Sequence, residues 1–213
     1  MNPAADPALV EKWIRGWALT REKAPPEPIP GGWRVHVGES DQVARYVFAQ
    51  PSEQVSALAR LLPAPLTPIK VCAPPEAVAP LLLAPWIVER TASMMTKPVL
   101  QARDSAAPGG YSVLLTGADH VLIAMAVTCV GDIVAGGRIA LVEDIAVFDQ
   151  IWTHEDHRRH GLGGAIMRTL EDAAANRGAV RGMLVATDAG CALYLTLGWQ
   201  VYAPYTTAIV PGA

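Results

Sequence analysis

The segment 158–164, which reads Arg-Arg-His-Gly-Leu-Gly-Gly, constrains the fold of this 213-residue chain more than any other stretch. Residues 145–153 before it favour a strand, and apolar side chains after it recur at the helical spacing of Ile166, Met167, Leu170 and Ala174. A helix start presents unpaired N–H groups and a partial positive charge. Glycines let the backbone approach a ligand closely, and arginines add fixed charge. The segment therefore predicts a strand–loop–helix unit that binds a phosphate or pyrophosphate group.

Three classes of phosphate-binding loop are candidates for this segment. A Walker loop would end in Gly-Lys-Ser/Thr, which is missing here. A dinucleotide-binding loop would follow the first strand of a βαβ unit, with an acidic residue about 20 positions later. The preceding segments instead read as two hairpins, 111–129 and 133–153, and residues 181–182 are Arg-Gly. The third class has the pattern Arg/Gln-x-x-Gly-x-Gly/Ala, and Arg158, Gly161 and Gly163 match all of its fixed positions.

A second motif lies downstream, where residues 192–199 read Ala-Leu-Tyr-Leu-Thr-Leu-Gly-Trp. With these two motifs the C-terminal half of the chain resembles the GNAT superfamily of N-acetyltransferases, in which such a loop is followed by Leu-Tyr-x-x-x-Gly-Phe. The resemblance implies an α+β fold, a GNAT-like twisted mixed β-sheet flanked by helices. It also implies acetyl-CoA as the co-substrate. No metal is expected, because no Cys or carboxylate pattern joins His154, His157 and His160 as a metal set.

The resemblance further implies which residues bind the donor. The loop backbone would hold the CoA pyrophosphate. The end of the preceding strand would splay from the strand 183–187 and pair with the pantetheine arm, and one of its N–H groups would polarise the thioester carbonyl. Thr187 stands where the family often has an Asn, so its hydroxyl is the expected substitute. The expected donor-binding residues are Ile151, Trp152, Thr153, Arg158, Arg159, His160, Gly161, Leu162, Gly163, Gly164 and Thr187.

Two residues are the main candidates for proton transfer. Tyr194 matches the family's Leu-Tyr motif, which implies that its phenol protonates the departing thiolate. The attacking amine must be neutral, and Asp149 is the first candidate base because strand alternation places it on one face with residues 145, 147 and 151. The secondary candidates lie in a predicted hairpin turn and in the loop: Glu143, Asp144 and His154.

Two stretches rich in turn residues divide the chain, residues 24–32 and 102–110. The expected division is an N-terminal helix and Pro-rich linker (1–32), an accessory half (33–101) and an acetyl-CoA-binding domain (102–213). In the first part, Asp6 and Pro7 mark the start of an amphipathic helix, 7–21, that packs through Trp13 and Trp17. Residues 33–100 read as strand, helix (53–62), strand (69–72), helix (75–83) and strand. This pattern leaves open a degenerate second GNAT-like half, which would make a tandem, and an unrelated extension.

Composition narrows the expected partners. The net charge of −3 is unlike the basic excess of a nucleic-acid or anionic-membrane binder. No apolar run approaches the roughly 20 residues of a membrane helix, and no leader pattern precedes the first helix, so a cytoplasmic protein is expected. Cys72, Cys129 and Cys191 lack metal-ligand spacing and are expected to be reduced and buried.

The expected function is acetyl-CoA-dependent N-acetyl transfer to a primary amine of a small molecule or peptide, by direct attack on the thioester. The alternative is a non-catalytic module that binds or senses acyl-CoA. A small-molecule or peptide amine is the expected partner, nucleic acid and membrane are not, and a homodimer is left open.

Overall fold

The computed structural model of the protein describes residues 4–102 and 107–212. In chain order the elements are α1 (Pro7–Thr20), β1 (Glu27–Ile29), β2 (Gly32–His36), β3 (Ala44–Phe48), α2 (Glu53–Leu61), β4 (Ile69–Val71), α3 (Pro75–Val78), β5 (Ile87–Lys97), β6 (Tyr111–Ala118), β7 (Val121–Thr128), β8 (Ile133–Val142), β9 (Ile145–Thr153), α4 (Leu162–Asn176), β10 (Arg181–Ala186), α5 (Asp188–Thr196) and β11 (Gln200–Ile209). Short 3₁₀ turns follow α3 and β9 at Ala79–Leu81 and Glu155–His157. The mixed class of helices and strands is confirmed. Among the described helices, none is long and apolar enough to cross a membrane.

The chain divides into two compact units. One comprises residues up to 95, 185–188 and those from 201, and the other comprises 96–184 and 189–200. The division expected from the two linkers differs from these units. Residues before 33 belong to the same unit as 33–95, and the last strand also belongs to it. Part of the second expected linker, residues 103–106, lies outside the described residues.

In the first unit, the strand order is β1-β2-β3-β4-β11-β5. Strands β3 and β4 are parallel, whereas β1–β2, β2–β3 and β4–β11 are antiparallel. The predicted amphipathic helix is confirmed as α1: the Asp6 carboxylate accepts a hydrogen bond from the Ala8 N–H at 2.9 Å. Trp13 is buried edge-on against Tyr205, with ring centroids 5.3 Å apart. The predicted docking role of this helix therefore follows from its buried tryptophan face.

Local chemistry explains three departures from expectation in this unit. Residues 27–29 of the first predicted linker form β1, where an edge strand tolerates the missing N–H of Pro28. Strand β3 is an element that the sequence pattern did not indicate. Helix α3 ends at Val78 and continues as a 3₁₀ turn, because Pro80 cannot donate the next helical hydrogen bond.

In the second unit, the strand order is β10-β9-β8-β7-β6. Both predicted hairpins are confirmed, with β6–β7 and β8–β9 antiparallel, and β9 runs parallel to β10. Helix α4 packs across β6, β7, β8 and β9. Its predicted apolar stripe is buried, including Ile166, Met167 and Leu170. This helix covers one face of the sheet that carries the candidate site.

The three cysteines are free thiols, but only Cys72 is buried. Cys129 is exposed in the turn between β7 and β8, and Cys191 is half-buried on α5. The expectation of three buried thiols is therefore wrong for two of them. A thiol in a surface turn has no core to pack against, whatever its intrinsic hydrophobicity.

Candidate functional site

Strand β9 is paired on both sides only over its first half. Its parallel register with β10 consists of Ile145, Ala146 and Val147 facing residues 181–183. Beyond Val147 the strand continues to Thr153 and pairs with β8. A backbone edge of residues 149–153 is thus left outside the parallel ladder. Such an edge can bind an extended ligand through main-chain hydrogen bonds.

A β-bulge interrupts the second half of β9. Arg138 on β8 faces Asp149, whereas Gly136 faces Trp152, so β9 carries one extra residue between these pairs. Gln150 accommodates it with a φ of 53°. A bulge of this kind bends a strand and re-aims the side chains after it. The site therefore contains a local kink at the point where β9 has left β10.

The bulge corrects the expected alternation along β9. Residues 145, 147 and 149 keep one parity, but Ile151 does not share the face of Asp149. A Cβ atom at Gly137 would lie 2.3 Å from Ile151 Cδ1 and 3.0 Å from Ile166 Cγ2 of α4, so Ile151 packs on the helix side. Trp152 takes the other face, where a Cβ atom at Gly136 would lie 2.9 Å from its indole Nε1. Alternation from sequence failed because it assumes an uninterrupted strand.

A cavity of about 510 Å³ opens around this kink. Trp152, which is 45% exposed, forms part of its wall. The lining residues come from β7, β8 and β9: Ile123, Ala124, Met125, Ile133, Gly136, Gly137, Arg138, Gln150, Ile151 and Trp152. Its size is within the range of small-molecule sites.

The two predicted proton-transfer residues are electrostatically coupled. Tyr194 is buried on α5, and this burial together with the negative charge of Asp149 raises the pKa of its phenol to about 12. Asp149 itself is half-buried on β9. These two residues are 45 positions apart in the sequence. Their catalytic roles remain predictions.

The ring of Trp199 packs near the ring of Tyr194. Its ring lies 6.2 Å from the Tyr194 ring and 5.0 Å, edge-on, from the ring of Phe148 on β9. Its Nε1 donates a hydrogen bond to Glu171 on α4 at 2.8 Å. A Cβ atom at Gly182 would lie 2.7 Å from Trp199 Cη2, so the glycine makes room for the indole. The Gly-Trp motif is therefore a packing anchor between α5, β9 and β10.

The glycine-rich loop connects β9 to α4 as predicted. Helix α4 starts at Leu162, two residues earlier than the predicted 164, because Gly161 adopts a φ of 80° and serves as the N-cap. Gly161 has no side chain with which to cap the first-turn N–H groups of α4. Arg159 also has a positive φ, 67°. Leu162 is buried, so only its backbone faces the loop.

The remaining residues predicted to bind acetyl-CoA lie in different surroundings. Arg158 donates through Nε to the Thr153 carbonyl at 3.4 Å, so its guanidinium stays beside the end of β9. A Cβ atom at Gly163 would lie 3.0 Å from Leu193 Cδ2 of α5. His160 and Gly164 lie at the loop and in the first turn of α4, respectively. Thr187 is exposed after β10 and belongs to the first unit, so its predicted role stays a prediction.

The secondary candidates lie away from the kink or at the loop surface. Glu143 and Asp144 form the turn between β8 and β9, and the Asp144 carbonyl accepts from the Val180 N–H at 2.9 Å. This confirms their predicted turn position, at the end of β9 opposite to the glycine-rich loop. His154 Nδ1 accepts from the Asp156 N–H at 3.4 Å, within the 3₁₀ turn after β9.

Two features of the site were missed by sequence reasoning. The bulge at Gln150 has no glycine to mark it. Tyr111, the first residue of β6, makes a hydrogen bond of 3.0 Å between its Oη and His157 Nδ1, and its ring lies 6.2 Å from that of His160. These three aromatic rings border the glycine-rich loop. The pattern of three nearby histidines was visible in the sequence, but their tyrosine partner comes from a distant strand.

Comparison with known proteins identifies the family. A family model described as the acetyltransferase (GNAT) family matches residues 76–199, more than half of the chain. The curated proteins contain no match to the chain.

Solved structures are similar over nearly the whole chain. A GCN5-related N-acetyltransferase from Kribbella flavida is 15% identical, with 99% of this chain and 98% of that chain covered and a TM-score of 0.68. A GCN5-related N-acetyltransferase from Sphaerobacter thermophilus is 13% identical, with 100% and 96% covered and a TM-score of 0.62. A tandem GNAT protein from the clavulanic acid biosynthesis pathway, solved without AcCoA, is 13% identical, with 85% and 79% covered and a TM-score of 0.56. At these identities the likeness concerns the fold.

The family match includes the Arg158–Gly161–Gly163 loop motif and the Tyr194 motif. It therefore agrees with the resemblance seen in the residues themselves. The chain belongs to the GNAT family of acetyltransferases, whose fold supports acyl transfer from acyl-CoA.

Proposed function

We propose that the chain is an acetyl-CoA-dependent N-acetyltransferase that acetylates a primary amine by direct attack of the amine on the thioester. The observation that carries this proposal is the placement of Tyr194 on α5 within the electrostatic range of Asp149 on β9, beside the bulge at Gln150 and in a chain that belongs to the GNAT family. One group can supply a proton and the other can accept one. A module that only binds acyl-CoA has no need of such a pair.

The residues of the loop fit the pyrophosphate of CoA. The N-cap residue of α4, Gly161, has no side chain to cap the first turn, and the positive φ angles of Arg159 and Gly161 shape the backbone that precedes it. Helix starts of this kind favour anionic ligands. Arg158 and Arg159 would add positive charge. The bound donor would supply the activated acetyl group as a thioester.

The free edge of β9 fits an extended arm. Ile151, Trp152 and Thr153 lie beyond the end of the parallel ladder with β10, at Val147. Their main-chain groups would pair with the pantetheine amides. An N–H group near the bulge would polarise the thioester carbonyl, because an oriented donor at that point stabilises developing negative charge.

Tyr194 would act as the acid. With its pKa raised to about 12 by burial and by Asp149, the phenol holds its proton at neutral pH. That proton can be delivered from Oη to the sulfur of the departing thiolate as the bond to the acyl carbon breaks. The ring of Tyr194 packs near the ring of Trp199, at a centroid distance of 6.2 Å.

Asp149 would act as the base. Primary amines are mostly protonated at neutral pH, so a carboxylate near the attacking nitrogen can receive the proton that the amine must lose. Asp149 lies on the same sheet face as Arg138, directly across from it. This placement leaves Asp149 beside the cavity at the kink.

Two measurements on the intact chain test the proposal. Isothermal titration with acetyl-CoA measures donor binding, and detection of free thiol with a panel of amines measures transfer. Binding together with thiol release that depends on the amine supports the transferase. Binding without thiol release for any amine identifies the acyl-CoA-binding alternative, and absence of binding removes both functions.

A further inference from the structure

We propose that the cavity at the kink of β9 is the acceptor site, and that it takes a small primary amine with a flat apolar body, the arylalkylamine class. This inference rests on the proposed function and names its substrate. It is argued from the wall of the cavity, from its charge and from its position relative to the coupled pair.

A cross-strand row of residues forms the flat wall. In register, Leu114 on β6 faces Met125 on β7, Met125 faces Gly136 on β8, and Gly136 faces Trp152 on β9. The absence of a side chain at Gly136 leaves space that the Trp152 indole occupies, with Nε1 2.9 Å from the missing Cβ position. The wall therefore presents an indole and a thioether side by side. Both groups favour contact with an aromatic ring.

This wall is on the face of the sheet that α4 does not cover. Ile151 packs toward α4, whereas Trp152 is 45% exposed and Ile133 is 51% exposed. Apolar side chains at the mouth of a cavity of about 510 Å³ lose contact with water when an apolar ligand enters. An aliphatic or aromatic body is therefore favoured over a sugar.

The charge of the cavity argues against polyamines. Of the ten residues that line it within the described part of the chain, Arg138 is the charged one. Since Arg138 faces Asp149 and these lining residues include no carboxylate, the wall offers no further anionic partner to a ligand that carries several ammonium groups. A ligand with one amine can instead direct that amine to Asp149, which faces Arg138 across the strands.

Two cross-strand rows of residues line up along β8 and β9, and the distance between them fits a ligand with a short alkyl chain. The row that contains Asp149 and Arg138 is two residues along β8 from the row that contains Gly136 and Trp152. Two residues of a strand span about 7 Å. A ligand whose aromatic ring contacts Trp152 would therefore need a linker of two or three atoms to bring its amine to Asp149. The charge of Asp149 also acts on the phenol of Tyr194.

Direct titration of amines into the acetyl-CoA-free protein tests the inference without requiring turnover. The probes are 2-phenylethylamine and spermidine. We expect 2-phenylethylamine to bind at least about tenfold more tightly than spermidine, because pocket shape and polarity discriminate ligands by such factors. Equal affinities, tighter binding of spermidine, or no binding of 2-phenylethylamine would overturn the acceptor class.

Variants place the binding in the cavity. Met125→Gln replaces the thioether with an amide of similar length and is expected to weaken 2-phenylethylamine about tenfold, and the more exposed Ile133→Asn provides a second lining change with little risk to folding. Val121→Gln is the matched control: it lies on the same strand and the same face as Met125 but outside the cavity lining. Circular dichroism checks that each variant is folded. Unchanged affinity in both folded lining variants contradicts the proposal.

The same titrations separate this inference from the proposed function. Loss of acetyl-CoA binding or of thiol release concerns the transferase, whereas amine affinity concerns the cavity. Sedimentation of the wild type and Met125→Gln tests whether the apolar wall instead binds a second copy of the chain. Dissociation of an oligomer by Met125→Gln, with no change in amine affinity, would overturn the acceptor site.

Discussion

The buried carboxylate of Glu171 accepts a hydrogen bond from the indole Nε1 of Trp199 at 2.8 Å. Lys97, at the end of β5, donates to the other oxygen of the carboxylate at 2.5 Å and to the Leu197 carbonyl at 2.9 Å. These contacts fasten the chain after α5 to the middle of α4. Because Trp199 also contacts Tyr194, the network determines where the predicted acid is held.

Removal of Lys97 should destabilise the protein. In Lys97→Met the Glu171 carboxylate, whose side chain is 7% exposed, loses its cation. We expect the free energy of unfolding to fall by about 3 kcal/mol, as is typical when one partner of a buried ion pair is removed. Urea unfolding followed by circular dichroism measures the change.

The control for this variant is Lys23→Met. Lys23 pairs with Glu39, whose side chain is 57% exposed, so water can replace the lost ammonium. If Lys23→Met lowered the free energy of unfolding as much as Lys97→Met does, the burial of Glu171 would not explain the effect of its ion pair on stability.

Replacement of Tyr194 by Phe should slow transfer and preserve donor binding. The variant keeps the ring that packs near Trp199 but lacks the phenolic hydroxyl, and therefore the proton that it would donate. We expect kcat to fall about 100-fold, within the range for loss of a general acid, with little change in the Kd for acetyl-CoA. Thiol release and isothermal titration measure the two quantities.

Tyr202→Phe is the matched change for Tyr194→Phe. Tyr202 belongs to the first unit, where its hydroxyl accepts a hydrogen bond from the Asp6 N–H at 2.7 Å. Turnover of this variant should stay near that of the wild type. Normal turnover of Tyr194→Phe itself would remove Tyr194 from the mechanism.

Gly161→Ala should weaken the binding of acetyl-CoA, in addition to a small loss in the free energy of unfolding. Gly161 has a φ of 80°, where an alanine is disfavoured by about 1 kcal/mol, and a Cβ atom there makes only an ordinary contact of 3.8 Å with Pro108. Relaxation of this strain would reorient the first N–H groups of α4. We expect the affinity for acetyl-CoA to fall about tenfold, because hydrogen bonds to charged groups are the stronger ones.

Gly178→Ala offers a close comparison at the other end of α4. Gly178 has a φ of 87° and no atom within 4 Å of its Cβ position, so its backbone penalty is similar. Thermal unfolding should report similar losses of stability for both variants. Equal affinity for acetyl-CoA in the two variants would argue that the Gly161 loop does not bind the donor.

The buried Lys70 should make the stability of the protein depend on pH. Burial, and then the charges of Arg45 and Arg90, lower the pKa of its ammonium to about 7, whereas an unfolded lysine titrates near pH 10.4. Between these values the unfolded state binds more protons than the folded state, so stability rises as the pH increases from about 7 to about 10. Below pH 7 both states carry the proton and the penalty is constant.

Lys70→Met should abolish this rise. At pH 6 the variant should be more stable than the wild type by roughly 2–4 kcal/mol, because the penalty for burying the ammonium disappears. Thr207→Val removes the hydroxyl that accepts from Lys70 Nζ at 2.9 Å but leaves the amine buried, so the rise should persist. Urea unfolding at several pH values measures both slopes. A wild-type stability that is flat between pH 7 and pH 10 would contradict the prediction.

Elements that depend on neighbouring residues were predictable from the sequence. The existence of strands β8 and β9, the tight turn between them and the apolar stripe of α4 were all predictable, because each follows from local sequence signals. The loop at Gly161 was also predictable, since a glycine-rich segment between a strand and a helix is typical of a phosphate-binding loop. Family identity followed from these local signals together with the Leu-Tyr motif.

Features that depend on residues far apart in the sequence became apparent in the folded protein. The bulge at Gln150 turned Ile151 away from the face of Asp149, and no glycine or proline announced it. The contact of Trp199 with Glu171 and the coupling of Tyr194 to Asp149 join different elements. Such pairings are determined by packing and by the cost of leaving buried polar groups unsatisfied, which local propensity does not encode.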